Sequence, residues 1–453
     1  MTLPRIIPRA EHPISRGYID PDALRVLYRL HRAGFKAYLV GGSVRDLMTG
    51  RTPKDFDIGT DARPQEIRRL FRNSRVIGRR FRLAHVLFEG GKVVEVSTFR
   101  RTPDPAAPEA GEGDEDLLIR SDNTFGTPEE DALRRDFTIN GLFYDIATYA
   151  VLDYVGGVDD LEARLVRTIG DPPIRMREDP VRMLRACEVA ARLGFTMTPD
   201  LREAIEENRK EILKSAAPRV TEELLDPLRR GWGTGTYRLW SETGLLDVLL
   251  PDLDAEVRAG RGGFGPAFWR MLEEADRRRS AGATHGDATL LGILFLPLVF
   301  AAVRDRARPG RVDAPQILLV LENVVNPLAA RMSLPNHTVH TLKGCLYTMG
   351  QLTEIRPDSP AARRLVHKQP FAAAVALLSL YATASGRYRQ PAEAWEDVLA
   401  TAGAVPAAFP DALVPPTPVA FPVPAEPFSE AAASSRRRRP RRRRRHHAAA
   451  APG

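Results

Sequence analysis

The stretch KAYLVGGSVRDLMTGRTPKDFDIGT, residues 36–60, carries the most informative pattern in this 453-residue chain. Its first residues, Lys36 to Val40, predict a short buried strand that runs directly into Gly41-Gly42-Ser43. Glycine lets the backbone approach a ligand closely because no Cβ stands in the way, and phosphate is the expected ligand. A helix from Ser43 to about Met48, capped by Ser43, would point its free N–H groups at the turn. The stretch therefore predicts a phosphate-binding turn.

A pair of carboxylates follows on the next predicted strand, Asp55-Phe56-Asp57-Ile58. Side chains alternate along a strand, so Asp55 and Asp57 are expected on one face and Phe56 and Ile58 on the other. Two adjacent carboxylates repel each other unless a cation lies between them, and Mg²⁺ takes oxygen ligands from proteins and substrate phosphates together. The simplest chemistry for this arrangement is metal-assisted nucleotidyl transfer. By itself, Asp-x-Asp is more often a loop or a helix cap.

The combination of GGSVRD with DFD resembles the head domain of the polymerase-β-like nucleotidyltransferases. Within them it is similar to the class II branch, which holds tRNA CCA-adding enzymes and bacterial poly(A) polymerases, from about Ala37 to Gly194. The resemblance implies an α+β fold, with a mixed or antiparallel sheet in the head and an all-α neck and body. The expected division is a head at 1–155, a neck at 156–230, a body at 231–405 and a disordered tail at 406–453.

Composition is that of a globular chain, with 43% hydrophobic and 27% charged residues. Cys187 and Cys345 are the only cysteines, so neither a disulfide framework nor a cysteine zinc site is expected, which fits a reducing cytoplasm. The longest apolar run, Leu290 to Val303, is shorter than the roughly 20 residues that span a bilayer and contains Pro297, which predicts a pair of core helices. The N-terminus lacks an apolar signal core. No membrane association is expected.

Two further carboxylates are candidates for the active site. Glu95 lies on the second strand of a predicted hairpin, which turns at Gly90-Gly91, on the face opposite Val94 and Val96. A glutamate on a solvated sheet face is the alternative. The segment RRDFTIN resembles a family motif that implies a nucleotide contact for Arg135 and an active-site role for Asp136. Without the resemblance, Asp136 would be interpreted as a helix cap or a turn former.

The predicted neck carries a candidate for base selection. By local rules Asp179 is an N-cap and Pro180 starts the helix, with Asp179, Arg182 and Arg185 along one side. A carboxylate and a guanidinium offer the acceptor and donor that the Watson–Crick edge of adenine requires. The resemblance implies that this EDxxRMLR segment reads the incoming base. Glu188 stands where the family usually has a further arginine.

Two basic segments are candidates for RNA contact. Arg79, Arg80 and Arg82 lie in GRRFRLAHV, which resembles the poly(A) polymerase side of the family. The tail run from Arg436 to Arg445, including Arg436, Arg437, Arg438 and Arg439, holds nine arginines and accounts for the formal charge of +8. Such a run attracts phosphates independently of sequence. Solvated surface and a solubilising tail are the alternatives. Trp232, Trp240 and Trp269 are expected to be core anchors.

These features predict template-independent addition of AMP from ATP to RNA 3′ ends. Asp55 and Asp57 would hold two Mg²⁺ ions, while the Gly41-Gly42 backbone and Arg45 would meet the charge of the leaving pyrophosphate. The expected partners are RNA 3′ ends and ATP, with accessory RNA-decay proteins as candidates, and the protein is expected to be a cytoplasmic monomer. Alternatives are a CCA-adding enzyme, a small-molecule adenylyltransferase and a non-enzymatic RNA-binding protein with a relict head.

Overall fold

The computed structural model describes residues 3–78, 82–101, 124–306 and 313–401. Residues 102–122, whose Pro-, Gly- and acid-rich composition predicts a loop, and the predicted tail at 406–453 lie outside these ranges. So do Arg79, Arg80 and the tail arginines from Arg436 to Arg439. Their proposed contacts with RNA therefore stay predictions.

An eight-stranded mixed sheet forms the first part of the chain. Its strands are β1 (Arg5–Ile7), β2 (Ala37–Val40), β3 (Asp57–Thr60), β4 (Ser74–Ile77), β5 (Leu83–Leu87), β6 (Val93–Thr98), β7 (Leu142–Asp145) and β8 (Val151–Asp153). Their order in the sheet is β1-β8-β7-β2-β3-β6-β5-β4. Of the neighbouring pairs, β3 and β6 are parallel and the rest are antiparallel. The two candidate motifs thus meet at the centre of the sheet, where Val40 pairs with Asp57.

Helices cover the sheet and then form the remainder of the described chain. Those up to the end of the predicted neck are α1 (Pro21–Arg32), α2 (Gly42–Met48), α3 (Pro64–Leu70), α4 (Pro128–Leu133), α5 (Gly157–Glu162), α6 (Pro172–Glu178), α7 (Val181–Leu193), α8 (Pro199–Asn208) and α9 (Ala217–Arg230). Two short parallel strands, β9 (Leu165–Val166) and β10 (Thr196–Met197), lie among them.

The helices of the predicted body are α10 (Gly233–Glu242), α11 (Leu245–Leu249), α12 (Pro251–Ala259), α13 (Phe264–Ser280), α14 (Asp287–Arg306), α15 (Ala314–Arg331), α16 (Asn336–Leu352), α17 (Pro360–Val366), α18 (Phe371–Ser385) and α19 (Arg389–Thr401). A mixed sheet followed by helices confirms the predicted α+β class.

The start of the glycine turn differs from the prediction by one residue. Helix α2 begins at Gly42, and Gly41 caps it with a positive φ of 72°. Ser43 is the second residue of the helix, and its hydroxyl donates a hydrogen bond of 2.8 Å to the carbonyl of Val40. The prediction that Ser43 caps the helix is therefore wrong. A glycine can hold the left-handed conformation that leaves the strand and enters the helix at once.

The predicted helix pair at Leu290 to Val303 is a single helix, α14, which continues through Pro297. Proline removes one backbone hydrogen bond from a helix interior. Burial of the apolar side chains on all sides of α14 offsets this loss, since the helix packs against α16 and α18. Within the described ranges, α14 is long and apolar enough to cross a membrane, but 72% of its most apolar window is buried inside the protein. That burial is typical of a core helix.

Candidate active site

The turn at Gly41 requires glycine for two independent reasons. Its φ of 72° and ψ of −137° disfavour any side chain. A Cβ at Gly41 would also lie 2.9 Å from Nη1 of Arg135. Arg135 is held over this turn by Asp131, whose Oδ2 accepts hydrogen bonds of 3.2 and 2.8 Å, and its guanidinium lies 5.1 Å from the ring centroid of Phe143. The turn therefore places a guanidinium against bare backbone.

Asp57 and Glu95 lie side by side on neighbouring strands. Strands β3 and β6 are parallel, with Ile58 paired to Val96. The preceding residues, Asp57 and Glu95, therefore point to the same face of the sheet. Burial first, and then the charge of Glu95, raises the pKa of Asp57 to about 6. The charge of Asp55 raises it further, while those of Arg135 and Lys54 oppose the shift. Burial and the two neighbouring carboxylates therefore outweigh Arg135 and Lys54 at Asp57.

Asp55 reaches this group from outside the strand. Strand β3 begins at Asp57, so Asp55 lies before the strand. The alternation of side chains along a strand therefore does not determine where Asp55 points. The side chain of Asp55 is 64% exposed, and its Oδ2 lies 3.5 Å from Nζ of Lys54. The prediction that Asp55 and Asp57 share a strand is wrong, although their charges do interact.

Glu95 occupies the predicted face of its strand. Alternation along β6 buries Val94 and Val96 and leaves Glu95 partly exposed. His85 lies directly opposite on β5, with its Nε2 3.2 Å from Oε1 of Glu95. The predicted hairpin is confirmed, because β5 and β6 are joined through a turn at Glu89–Gly91. A direct role of Glu95 in metal binding stays a prediction.

Asp136 is buried and bound to protein groups. Its Oδ1 accepts hydrogen bonds from the backbone N–H of Phe137 at 2.8 Å and from Nδ2 of Asn140 at 2.9 Å, and its Oδ2 lies 2.7 Å from Nη2 of Arg185. Burial opposes ionisation, but Arg185 and Asn140 outweigh it and hold the pKa of Asp136 below its ordinary value. Asp136 is neither a helix cap nor a lining residue of the cleft described next.

A cleft of about 460 Å³ opens between the sheet and helices α7 and α9. The residues from the sheet side are Gly42, Ser43, Arg45, Asp46, Lys54, Asp55, Asp57 and Asn140. Those from the helical side are Arg185, Glu188, Val189, Arg192, Glu222, Glu223, Asp226 and Trp232. The cleft brings the glycine turn, both aspartates of DFD and one predicted base-reading residue, Arg185, to one place.

The arginines of the cleft have acidic partners. Arg45 lies 2.9 Å from Oδ1 of Asp46 and donates a hydrogen bond of 2.5 Å to Oδ1 of Asn140. Arg192 pairs with the other oxygen of Asp46, and Arg185 pairs with Asp136. These guanidinium groups are fixed in position before any ligand binds.

Asp179 and Arg182 do not line the cleft. Asp179 ends helix α6 and does not cap α7, whose first turn has no side-chain cap. Its two carboxylate oxygens instead accept hydrogen bonds of 2.5 and 2.8 Å from Arg219 of α9. The predicted N-cap is therefore wrong, because local spacing contains no information about a partner 40 residues away.

Arg182 is buried among protein acceptors. It donates hydrogen bonds of 3.1 and 3.3 Å to the backbone carbonyls of Arg175 and Arg134, and one of 3.2 Å to Oε2 of Glu178. Of the three neck residues predicted to read the base, the structure brings only Arg185 into the cleft wall. Among the predicted RNA-binding arginines, Arg82 is described and is exposed just before β5.

Sequence reasoning did not assign several residues to the cleft, among them Lys54, Glu223, Asp226 and Trp232. Burial raises the pKa of Glu223 to about 7, and the charges of Glu188 and Asp226 add to this while Arg185 opposes it. Trp232 was predicted in the core, but it lies on the cleft wall with the Arg192 guanidinium 5.3 Å from its ring centroid. The acidic run TEELLD of α9 could have drawn attention to Glu223 and Asp226.

Two models of known protein families match this chain. A family model described as the poly A polymerase head domain matches residues 37–167, and one described as the probable RNA and SrmB-binding site of polymerase A matches residues 194–257. Poly(A) polymerase I of Escherichia coli O157:H7 is 39% identical over 384 residues, which cover 83% of this chain and 81% of the relative. The chain belongs to the poly(A) polymerase family.

A second member of the family is closer in identity. Poly(A) polymerase I of Haemophilus influenzae is 44% identical over 387 residues, which cover 84% of each chain. Membership of this family makes the chain a nucleotidyltransferase. The alternative of a non-enzymatic protein with a relict head is therefore set aside.

CCA-adding enzymes are also similar to the chain. That of Geobacillus kaustophilus is 35% identical over 309 residues, which cover 68% of this chain and 71% of the relative. The solved structure of the Bacillus stearothermophilus CCA-adding enzyme in complex with CTP is 26% identical, with a TM-score of 0.61 and coverage of 85% of this chain and 83% of the other. The fold of the described residues is therefore shared by both kinds of enzyme.

Proposed function

We propose that this chain adds AMP from ATP to the 3′ ends of RNA without a template. The observation that carries the proposal is that Asp55 and Asp57 line the same cleft of about 460 Å³ as Gly42 of the glycine turn, with the charge of Glu95 acting on Asp57. The identity of 39–44% to two enzymes called Poly(A) polymerase I supports adenylate as the transferred group.

The carboxylates fit divalent cations. The raised pKa of Asp57 reports repulsion from Glu95 and Asp55 in addition to burial, and this repulsion is what a bound cation would relieve. Asp55 and Asp57 would hold two Mg²⁺ ions. In the ranges that the structure describes, no group of three or more His, Cys, Asp or Glu side chains forms a metal site, so phosphate oxygens of ATP would complete the coordination. When bound, Mg²⁺ lowers the pKa of a hydroxyl nucleophile and offsets charge on the phosphates.

The reaction breaks the phosphoanhydride bond between the α- and β-phosphates of ATP and forms a phosphodiester bond to the RNA. The 3′-hydroxyl oxygen of RNA attacks the α-phosphorus of ATP in line, the bond from this phosphorus to the oxygen that bridges the α- and β-phosphates breaks, pyrophosphate leaves, and the hydroxyl proton passes to water. Backbone N–H groups at Gly41-Gly42 and the guanidinium of Arg45 would stabilise the charge on pyrophosphate. Arg135, held against Gly41, would contact the nucleotide.

Base selection is assigned to the neck. Arg185 lines the cleft, whereas Asp179 and Arg182 have protein partners and would have to exchange them for the edge of adenine. Glu188 lies in the cleft wall, where it could accept a hydrogen bond but not donate one when ionised. The predicted division into a catalytic head, a base-reading neck and an RNA-binding body is part of this proposal.

RNA binding would draw on basic side chains outside the cleft. Arg82 and, beyond the described ranges, Arg79, Arg80 and the tail from Arg436 to Arg439 would contact phosphates. We propose a monomer that acts in a reducing cytoplasm, consistent with the buried free thiols of Cys187 and Cys345. Accessory RNA-decay proteins are candidate partners.

A CCA-adding activity is the second candidate, favoured by the shared fold and by the 35% identity to a CCA-adding enzyme. In the deciding experiment, purified full-length protein with Mg²⁺ is given each nucleoside triphosphate separately, and CTP together with ATP, on two RNAs. One RNA is short and unstructured, and the other is a tRNA that lacks its terminal CCA. The proposal expects a ladder of added AMP on the unstructured RNA. Addition of two CMP and one AMP to the tRNA alone would identify the second candidate.

A further inference from the structure

Lys54 lies between the two walls of the cleft. It belongs to the segment between α2 and β3, directly before Asp55. Its Nζ lies 3.5 Å from Oδ2 of Asp55 on the head wall and 3.5 Å from Oδ1 of Asp226 on helix α9. One ammonium group is therefore shared by the proposed metal ligand and by a carboxylate of the neck.

The arginines that line the cleft have acidic partners other than Asp55 and Asp57. Arg45 and Arg192 share Asp46, and Arg185 pairs with the buried Asp136, so each guanidinium has a partner that is not a proposed metal ligand. Carboxylates outnumber cations among the residues that line the cleft. Lys54 is thus the lining cation positioned to offset charge at Asp55 when no metal is bound. A lysine suits this task because its flexible stem lets the ammonium group change partners.

Asp226 is suited to pair with the ammonium group of Lys54 once a divalent cation neutralises the Asp55 carboxylate. Burial raises the pKa of Asp226, Lys54 lowers it, and Asp55 raises it, so the three charges act on one another. The Oδ1 atom of Asp226 also lies 2.6 Å from Nε of Arg230, which keeps this carboxylate oriented on α9. Asp226 is therefore a fixed acceptor on the opposite wall.

We propose that Lys54 is a positioning residue that stabilises the Asp55 carboxylate in the metal-free cleft and transfers to Asp226 when a divalent cation binds. The inference rests on the proposed function, because it takes Asp55 to be a metal ligand. Lysine and the metal then compete for Asp55, and Asp226 shifts this competition in favour of the metal. A partly exposed ion pair of this kind changes an affinity by roughly two- to fivefold.

The test is a Mn²⁺ titration of the nucleotide-free, full-length protein, with free Mn²⁺ measured by electron paramagnetic resonance. K54Q removes the competitor and is expected to tighten Mn²⁺ binding by roughly two- to fivefold. D226N removes the alternative partner of Lys54, so the ammonium group stays paired with Asp55. This variant is expected to weaken Mn²⁺ binding. E222Q is the matched control, because Glu222 lies on the same helix and the same cleft wall but pairs with Arg229.

The double variant separates a change of partner from general electrostatics. In the K54Q background, D226N should weaken Mn²⁺ binding no more than E222Q does, since no lysine is left to be transferred. Unchanged or weaker binding by K54Q, or an undiminished effect of D226N in that background, would overturn the role of Lys54. Failure of the proposed metal site is distinguishable, because wild-type protein and D55N would then bind Mn²⁺ equally.

Discussion

Asp57 and Glu95 stand next to each other on the parallel strands β3 and β6, and the pKa of Asp57 is raised to about 6 by its burial and by the charge of Glu95. A carboxylate in a purely structural role is normally paired with a cation or a hydrogen-bond donor that lowers its pKa. The opposite shift at Asp57 shows that burial, together with repulsion from Glu95 and Asp55, outweighs the neighbouring cations. Such repulsion disappears when a divalent cation binds.

In metal-free protein, the contribution of Asp57 to stability is expected to fall as the pH rises through the range in which this residue ionises. The pKa of Asp57 is about 6 in the folded protein and has a reference value of 3.8, so the folded state binds more protons between these values. The contribution of Asp57 to the free energy of unfolding therefore falls from about pH 4 to pH 6. With EDTA present, the stability of Asp57→Asn relative to wild type should rise over the same range in urea unfolding. A constant difference would contradict the raised pKa.

Loss of Asp136 and loss of Glu95 should both reduce activity but should differ in their effect on stability. Substitution of either residue by alanine is expected to reduce activity severely. Asp136→Asn also leaves Arg185 without its buried partner, so it should cost about 2 kcal/mol or more of stability. Glu95→Gln, on a partly exposed strand face, should leave the unfolding midpoint nearly unchanged. Equal losses of stability in the two variants would contradict the distinction.

Arg182→Ala is expected to relax the preference for ATP over CTP. A recognition group left unpaired is what rejects the wrong base, by a few kcal/mol. The variant should also lose stability, because Arg182 donates to Arg175, Arg134 and Glu178. Arg177→Ala on α6 is the control for removing an arginine from the same region. An unchanged ATP:CTP ratio in a destabilised Arg182→Ala protein would leave Arg182 with a structural role.

Removal of the residues after Ser435 should leave the maximal rate at saturating RNA unchanged and raise KM for RNA. The deleted arginines are expected to contact phosphates, and each such contact adds about 0.7 to 0.9 to the slope of log K against log salt. RNA binding measured over a range of salt concentrations should therefore show a shallower slope for the truncated protein. Equal slopes would indicate that the tail does not meet RNA phosphates.

The sequence predicted those parts of the site that depend on local patterns. Glycine preference and strand alternation placed Gly41 at the turn and Glu95 on its face, and the hairpin around Gly90-Gly91 followed from turn chemistry. These local rules could not predict ion pairs between residues that are far apart in the sequence. Nothing near Asp179 in the sequence indicates Arg219 as its partner, and nothing near Lys54 indicates Asp226.

Two errors have a common physical cause. The continuation of α14 through Pro297 and the position of Trp232 on the cleft wall depend on what packs against each residue. Local propensity predicts a break at proline and burial of tryptophan, but tertiary contacts decide both outcomes. The fold class was predictable because GGSVRD and DFD resemble a known family, whereas the cleft depends on a few distant pairs.

The role of the two aspartates in catalysis is tested by the rate of AMP incorporation from ATP into a short RNA by Asp57→Asn and Asp55→Asn, compared with wild type. Loss of one carboxylate should abolish addition because a metal ligand is removed, while thermal stability is retained because repulsion is relieved. Asp252→Asn, an exposed aspartate on α12, is the matched control and should keep wild-type activity. Near-wild-type incorporation by Asp57→Asn at unchanged stability would contradict the assignment of catalysis to this site.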